Sequence, residues 1–242
     1  MLTNRNLSLG TLVLALTLTS LQGANAQNER QDAEAALARY VERGGSADWT
    51  VERMDVRASL PKFAKRGRLL AIRRLAPSRK PKYEVLQLTG DRTVKDQVIA
   101  RYLKAEQRAS EMPAAEVAIT PANYRFSYKG LATEAGRPAY VFQISPRKKR
   151  DGLIKGQLWL DAEVAAPLRY SGYLVKRPSI WIKRLEITRA TTFSGGAVEG
   201  RLTHVTVDAR LIGRAELVIE ERPLGEMQSA QSINAGDGGG QQ

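Results

Sequence analysis

The chain has 242 residues, with 38 Lys and Arg against 25 Asp and Glu for a formal charge of +13, one histidine and no cysteine. Disulfides, cysteine or multi-histidine metal sites and Cys–His catalysis are excluded, and no cofactor is expected. The cationic excess favours anionic partners such as lipid headgroups, nucleic acid or acidic polysaccharide.

Residues 1–26 have the three parts of a secretory signal: Arg5, an apolar run from Leu7 to Leu21, and small residues ending Ala24-Asn25-Ala26 before Gln27. The run is shorter than the roughly 20 residues that span a bilayer core. With no cysteine after the cut, a bacterial lipid anchor is not expected. The mature chain is therefore expected to be soluble, periplasmic and monomeric. It is read as one domain over 27–224, followed by a disordered tail over 225–242 that is rich in Gly, Gln and Ser.

Residues 28–43 place Ala33, Ala36, Leu37, Tyr40 and Val41 on one helical face and stop at Gly44-Gly45. Three strands are expected at about 48–58, 67–75 and 82–89, separated by the basic, Pro-containing stretches 59–66 and 76–81. Gly90-Asp91 turns and caps a second helix over about 92–109, in which Val94, Val98 and Tyr102 recur beside Ile99 and Leu103. From Asn123 to Arg222 the pattern is almost wholly strand. Tyr124, Phe126 and Tyr128 share a face, as do Tyr140, Phe142 and Ile144, and again Val205, Val207, Ala209 and Leu211. Further strands fall at 157–161, 167–175, 180–188 and 215–220. Turns fall at Glu134-Ala135-Gly136, Arg147 to Gly152, Asp161 to Ala166, Gly195-Gly196 and Gly213.

About ten antiparallel strands with two helices of useful length imply an α+β fold. Two helices cannot cover both faces of so wide a sheet, so the sheet curves over its own apolar face and the helices close the open side. An apolar cavity follows, lined by Tyr124, Phe126, Tyr128, Tyr140, Phe142, Ile144, Val205 and Val207. Alternation alone does not say which face is concave.

The element order and the stretch from Tyr128 to Arg189 resemble the outer-membrane lipoprotein carrier superfamily, which includes LolA, LolB, RseB and the lipoprotein-sorting relatives. Carrying the resemblance are Ile144-Ser145-Pro146 running into the basic turn Arg147-Lys148-Lys149-Arg150, then Leu158-Trp159-Leu160-Asp161 and Pro167-Leu168-Arg169. The resemblance implies an unclosed β-barrel with a helical lid over an apolar cavity, and carriage of acyl chains. This chain departs from the soluble carrier in its greater length and heavier basic stretches, which leaves open whether the cargo is a lipoprotein, a phospholipid or another long-chain lipid.

Basic residues concentrate at Lys62, Lys65, Arg66, Arg68, Arg73, Arg74, Arg79, Lys80 and Lys82, and at Arg147, Lys148, Lys149, Arg150 and Lys155. The turn Arg147 to Arg150 is the expected contact with membrane or headgroup, against the alternative of solvated hairpin tips. Nucleic acid is not an expected partner, because the aromatics do not interleave with the cations as a stacking platform requires. The sequence has no G-x-S-x-G, H-E-x-x-H or Walker loop. His204 faces away from Val205 and reads as structural, and Asp151 and Asp161 read as turn residues. The expected function is a non-catalytic periplasmic carrier of lipid or acylated lipoprotein with transient membrane or membrane-protein contact. The alternatives are a sensor or regulatory interaction domain on the same fold, or an exported hydrolase or polysaccharide-binding protein.

Overall fold

A computed structural model describes residues 27–44, 51–75, 80–195 and 197–224. The expected leader and tail, together with Arg79, lie outside the described residues. Helix α1 spans residues 27–42. It is followed by β1 (Val51–Leu60), β2 (Lys65–Leu75) and β3 (Pro81–Gly90), then a helical segment made of α2 (Arg92–Val94), a π turn (Lys95–Ile99) and α3 (Ala100–Glu111), and the short α4 (Ala114–Val117). The remaining strands are β4 (Tyr124–Glu134), β5 (Arg137–Pro146), β6 (Ile154–Asp161), β7 (Pro167–Leu174), β8 (Ile182–Ser194), β9 (Ala197–Ala209) and β10 (Gly213–Pro223).

All ten strands form one sheet in the order β3-β2-β1-β10-β9-β8-β7-β6-β5-β4, and every neighbouring pair is antiparallel. The two edges never meet, so this is the unclosed barrel expected from the sequence. The edges β3 and β4 are nonetheless consecutive in the chain, and the 92–117 helices join them.

Local chemistry sets these elements. On β1 the alternation buries Glu52, Met54, Val56, Ala58 and Leu60 on one face. A turn at Pro61–Phe63, closed by Ala64 at φ 53°, makes a hairpin of β1 and β2, so half of the stretch expected as a spacer at 59–66 belongs to strands. Asp91 accepts hydrogen bonds from Thr93 N at 2.7 Å and Val94 N at 3.3 Å, which satisfies the free donors at the start of the second helical segment. Between β4 and β5, Ala135 and Gly136 both have positive φ, at 50° and 78°, as a two-residue hairpin turn that matches strand twist requires.

Each helical segment covers one flank of the sheet. α1 contributes Ala33, Ala36 and Tyr40 to a core with Tyr124, Tyr140, Phe142, Ile144, Leu153, Ile154, Leu158 and Leu160. The 92–111 helices contribute Val94, Val98 and Ile99 to a second core with Met54, Val56, Ala58, Leu60, Leu69, Ala71, Ala215, Leu217 and Ile219. One assignment is corrected: Leu211 does not continue the stripe of Val205 and Val207. β9 ends at Ala209, and Leu211 stands exposed in the turn that Gly213 completes at φ 75°.

Candidate functional site: the concave face

Directly paired residues on neighbouring strands share a face, so register follows one line of side chains across the sheet. One such row runs Gly90, Gly67, Ala58, Leu217, Val205, Ile187, Gly172, Gly156, Ile144 and Phe126, one residue from each of the ten strands and none of them charged. The next row runs Val56, Ile219, Thr203, Arg189, Tyr170, Leu158, Phe142 and Tyr128. Both helical segments pack on this face, which makes it the concave one. All eight residues expected to line the cavity lie on it.

They do not share one environment. Tyr124, Phe142 and Ile144 are fully buried and Tyr140 nearly so, in the core beneath α1, with Phe126 and Tyr128 packed at its margin. The Phe142 ring lies 5.7 Å from that of Tyr128 and 6.3 Å from that of Phe126. Ile154 N donates to the Tyr124 hydroxyl at 3.1 Å, and the Tyr128 hydroxyl donates to Glu29 on α1. Burial, reinforced by Tyr170 and Tyr124, pushes the Tyr40 hydroxyl up to about 12, so it stays neutral beneath the helix. Val205 and Val207 pack instead against the other core.

Between the two cores lies a strip of half-buried residues: Leu174 on β7, Leu185 and Ile187 on β8, and Val205 and Val207 on β9. Leu185 and Ile187 pack into neither core. Beside them Gly172 pairs with Gly156. A Cβ on Gly156 would stand 1.9 Å from Ser171 O, and one on Gly172 would stand 2.5 Å from Lys155 O. The two backbones approach closely here, and only glycine leaves room for the approach.

Sequence reasoning missed a charged cluster at one end of this face. Arg73 on β2 forms ion pairs with Glu52 on β1 and Glu106 on α3, and lies 3.1 Å from Glu221 on β10. Arg189 on β8 stands 3.5 Å from Glu221 and donates from Nε to Thr203 Oγ1 at 2.9 Å. Arg201, the ladder partner of Glu221, is buried alongside. Three guanidiniums thus face three carboxylates. Burial pushes the Glu52 carboxyl up to about 7, although Arg73 pulls it the other way. A signal was present in the sequence: Glu52, Arg73 and Glu221 occupy the buried phase of strands whose other inward residues, apart from Lys65 at the start of β2, are uncharged.

The basic turn divides. Arg147 Nε donates to Pro121 O at 2.7 Å, and Arg150 donates to Asn123 Oδ1 at 2.6 Å and stands 3.7 Å from Glu116. These two hold the segment that follows α4, while Lys148 and Lys149 are exposed. Asp161 accepts from Glu163 N at 2.9 Å and Val164 N at 2.8 Å and pairs with Arg137 at 2.6 Å, the turn role expected of it. His204 is exposed on the convex face. A depression of about 360 Å³ also opens on the convex face among Arg57, Ser59, Arg66, Arg68, Thr89 and Glu216. There Arg68 pairs with Asp55 at 2.6 Å and Arg57 with Glu220.

The fold is thus an unclosed antiparallel barrel with helices on its concave face and a half-buried apolar strip between the two cores. No family model and no curated protein matches the sequence. Among solved structures the chain is similar to a LolA superfamily protein from Nitrosomonas europaea, at 13% identity over 80% of this chain and 94% of that one, with a TM-score of 0.35. It is also similar to an outer membrane lipoprotein-sorting protein domain from Vibrio parahaemolyticus, at 12% identity over 86% and 98% of the two chains and a TM-score of 0.37. MucB is 16% identical over 80% and 95%, with a TM-score of 0.30. A further match is the complex of MucA and MucB from Pseudomonas aeruginosa, at 14% identity over 82% and 96% and a TM-score of 0.26.

Proposed function

We propose that this protein is a non-catalytic periplasmic carrier that shelters the acyl chain of a lipid or acylated protein along the concave strip. The observation that supports it is the placement of Leu174, Leu185, Ile187, Val205 and Val207, an apolar floor on the inner face that the two helix-covered cores leave between them. An acyl chain laid there gains about 0.8 kcal/mol for each buried CH₂ relative to water. Relative to a bilayer it gains little, so loading and release need an element that changes the depth of the strip. The 92–111 helices and α1 are that element. The charged cluster closes one end of the strip with polar groups, and Lys148 and Lys149 are the cations of the basic turn left exposed to meet a headgroup. Among the described residues, no helix is long and apolar enough to cross a membrane.

Native mass spectrometry of the purified protein is the test. Co-purified lipid in the native protein, lost in Ile187→Glu, supports the carrier. A native protein that is lipid-free and stays so when offered phospholipid or an acylated peptide overturns it and leaves a regulatory interaction domain.

A further inference from the structure

Strand order places alternate connections at opposite ends of the sheet. The β1–β2 tip, the β9–β10 tip and the 175–181 connection between β7 and β8 share one end, together with the basic 147–153 turn. They are in contact: Arg210 N donates to Trp181 O at 2.9 Å, and the Lys62 side chain lies against Gly213. Val175 N donates to Leu153 O at 3.0 Å, and Lys176 pairs with Asp151 at 2.8 Å.

This rim carries the two most exposed large apolar side chains of the described residues, Ile180 and Leu211, together with Trp181 and Phe63. Ile180 is 76% exposed, Leu211 74%, Trp181 53% and Phe63 47%. None fills a core, and they come from three separate connections. Around them stand Lys62, Arg177, Lys183, Arg210, Lys148 and Lys149, all exposed and without an acidic partner among the described residues. Four of the acids nearby are occupied: Asp91 by Lys65 at 3.3 Å, Asp151 by Lys176, Asp208 by Arg214 at 3.1 Å and Glu186 by Arg184 at 2.5 Å. Apolar tips that include a tryptophan, ringed by free cations, suit a surface with fatty acyl material below and negative charge above.

We propose that this rim docks on an anionic lipid bilayer, with Ile180, Trp181, Leu211 and Phe63 entering the interface and the six cations meeting the phosphates. The docking is independent of whether the concave strip holds a chain. It goes beyond the basic turn expected from the sequence, because the apolar tips supply the insertion and Arg147 and Arg150 take no part.

Flotation of the purified protein with phosphatidylcholine vesicles, with and without phosphatidylglycerol, tests it. The native protein is expected to float with the phosphatidylglycerol vesicles alone and to be released by salt. The exposed-site variant Ile180→Ser/Trp181→Ser/Leu211→Ser is expected to bind them about tenfold or more weakly. Lys62→Gln/Lys183→Gln/Arg210→Gln is expected to lose about fivefold per cation at low salt. All these side chains are exposed, so urea unfolding of both variants is expected to match the native protein. Failure of the native protein to bind, equal binding to vesicles without phosphatidylglycerol, or an apolar-tip variant that binds like the native protein would each overturn the proposal. So would a concentration-dependent dimer abolished by the same substitutions. A native protein that holds lipid by mass spectrometry yet ignores vesicles overturns the rim and leaves the carrier standing.

Discussion

Arg73 on β2 lies 3.1 Å from Glu221 on β10, although β1 runs between the two strands. The same guanidinium reaches Glu52 on the intervening strand and Glu106 on α3, so a single side chain ties three strands and a helix together. Removing it would leave three carboxylates facing two arginines in a buried setting. Arg73→Met is expected to lower stability by about 3–5 kcal/mol. The exposed Arg66→Ala is expected to stay within about 0.5 kcal/mol. Urea unfolding of the two variants measures the difference, and equal effects would show the cluster to be unimportant.

Glu52 makes part of this stability depend on pH. Its carboxyl is pushed up to about 7 by burial, so between the ordinary carboxylate range and pH 7 the folded protein binds more protons than the unfolded chain. Stability from this group is therefore fully present below the unfolded pKa and falls as pH rises toward 7. Glu52→Gln is expected to flatten that decline, gaining on the native protein at pH 8 relative to pH 5. Urea midpoints at the two pH values check it. A pH dependence unchanged by the substitution would refute it.

The close approach at Gly156 and Gly172 is expected to tolerate no Cβ. Gly156→Ala would bring its methyl group against Ser171 O and Gly172 Cα, both backbone atoms that cannot swing aside. Overpacking of this kind costs about 1–3 kcal/mol. Lys155→Ala, at an exposed neighbouring position, serves as the control in thermal unfolding. A Gly156→Ala protein as stable as the control would mean that the strands separate freely there.

Phe142 and Ile187 sit on the same face and are expected to respond differently to a charge. Phe142 is sealed beneath α1, so Phe142→Glu is expected to unfold the α1 flank at a cost of about 3 kcal/mol or more. Ile187 is half-buried, and Ile187→Glu is expected to cost about 1 kcal/mol while abolishing lipid retention. Circular dichroism and native mass spectrometry on the two variants separate loss of fold from loss of cargo. Lipid kept by a folded Ile187→Glu protein would remove the strip from the binding site.

Most of the fold was legible because period-two patterns are written in the sequence. Tyr124-Phe126-Tyr128 and Tyr140-Phe142-Ile144 announce their strands, and Asp91 announces its helix. What alternation lacks is a third dimension. It assigned Tyr124 and Val205 to inward faces without revealing that α1 seals one and leaves the other in a half-buried strip. Leu211 kept the phase of Val207 yet lay past the point where Gly213 turns the chain. The charged cluster could not be assembled for a related reason: the charges in the buried phase of β1, β2 and β10 were legible one by one, but Glu52, Arg73, Glu106, Arg189, Arg201 and Glu221 are scattered along the chain, and only strand order brings them together. The apolar rim likewise depends on which connections share an end of the sheet.

The chain passes from β3 at one margin of the sheet to β4 at the other through a single covalent strap, helices 92–117. That strap sets a mechanical limit on the gape of the mouth. Prising one margin outward draws on the other through continuous peptide, so the widest opening is limited both by how far this bridge can straighten and by the buried contacts of Val94, Val98, Ile99 and Glu106 beneath it.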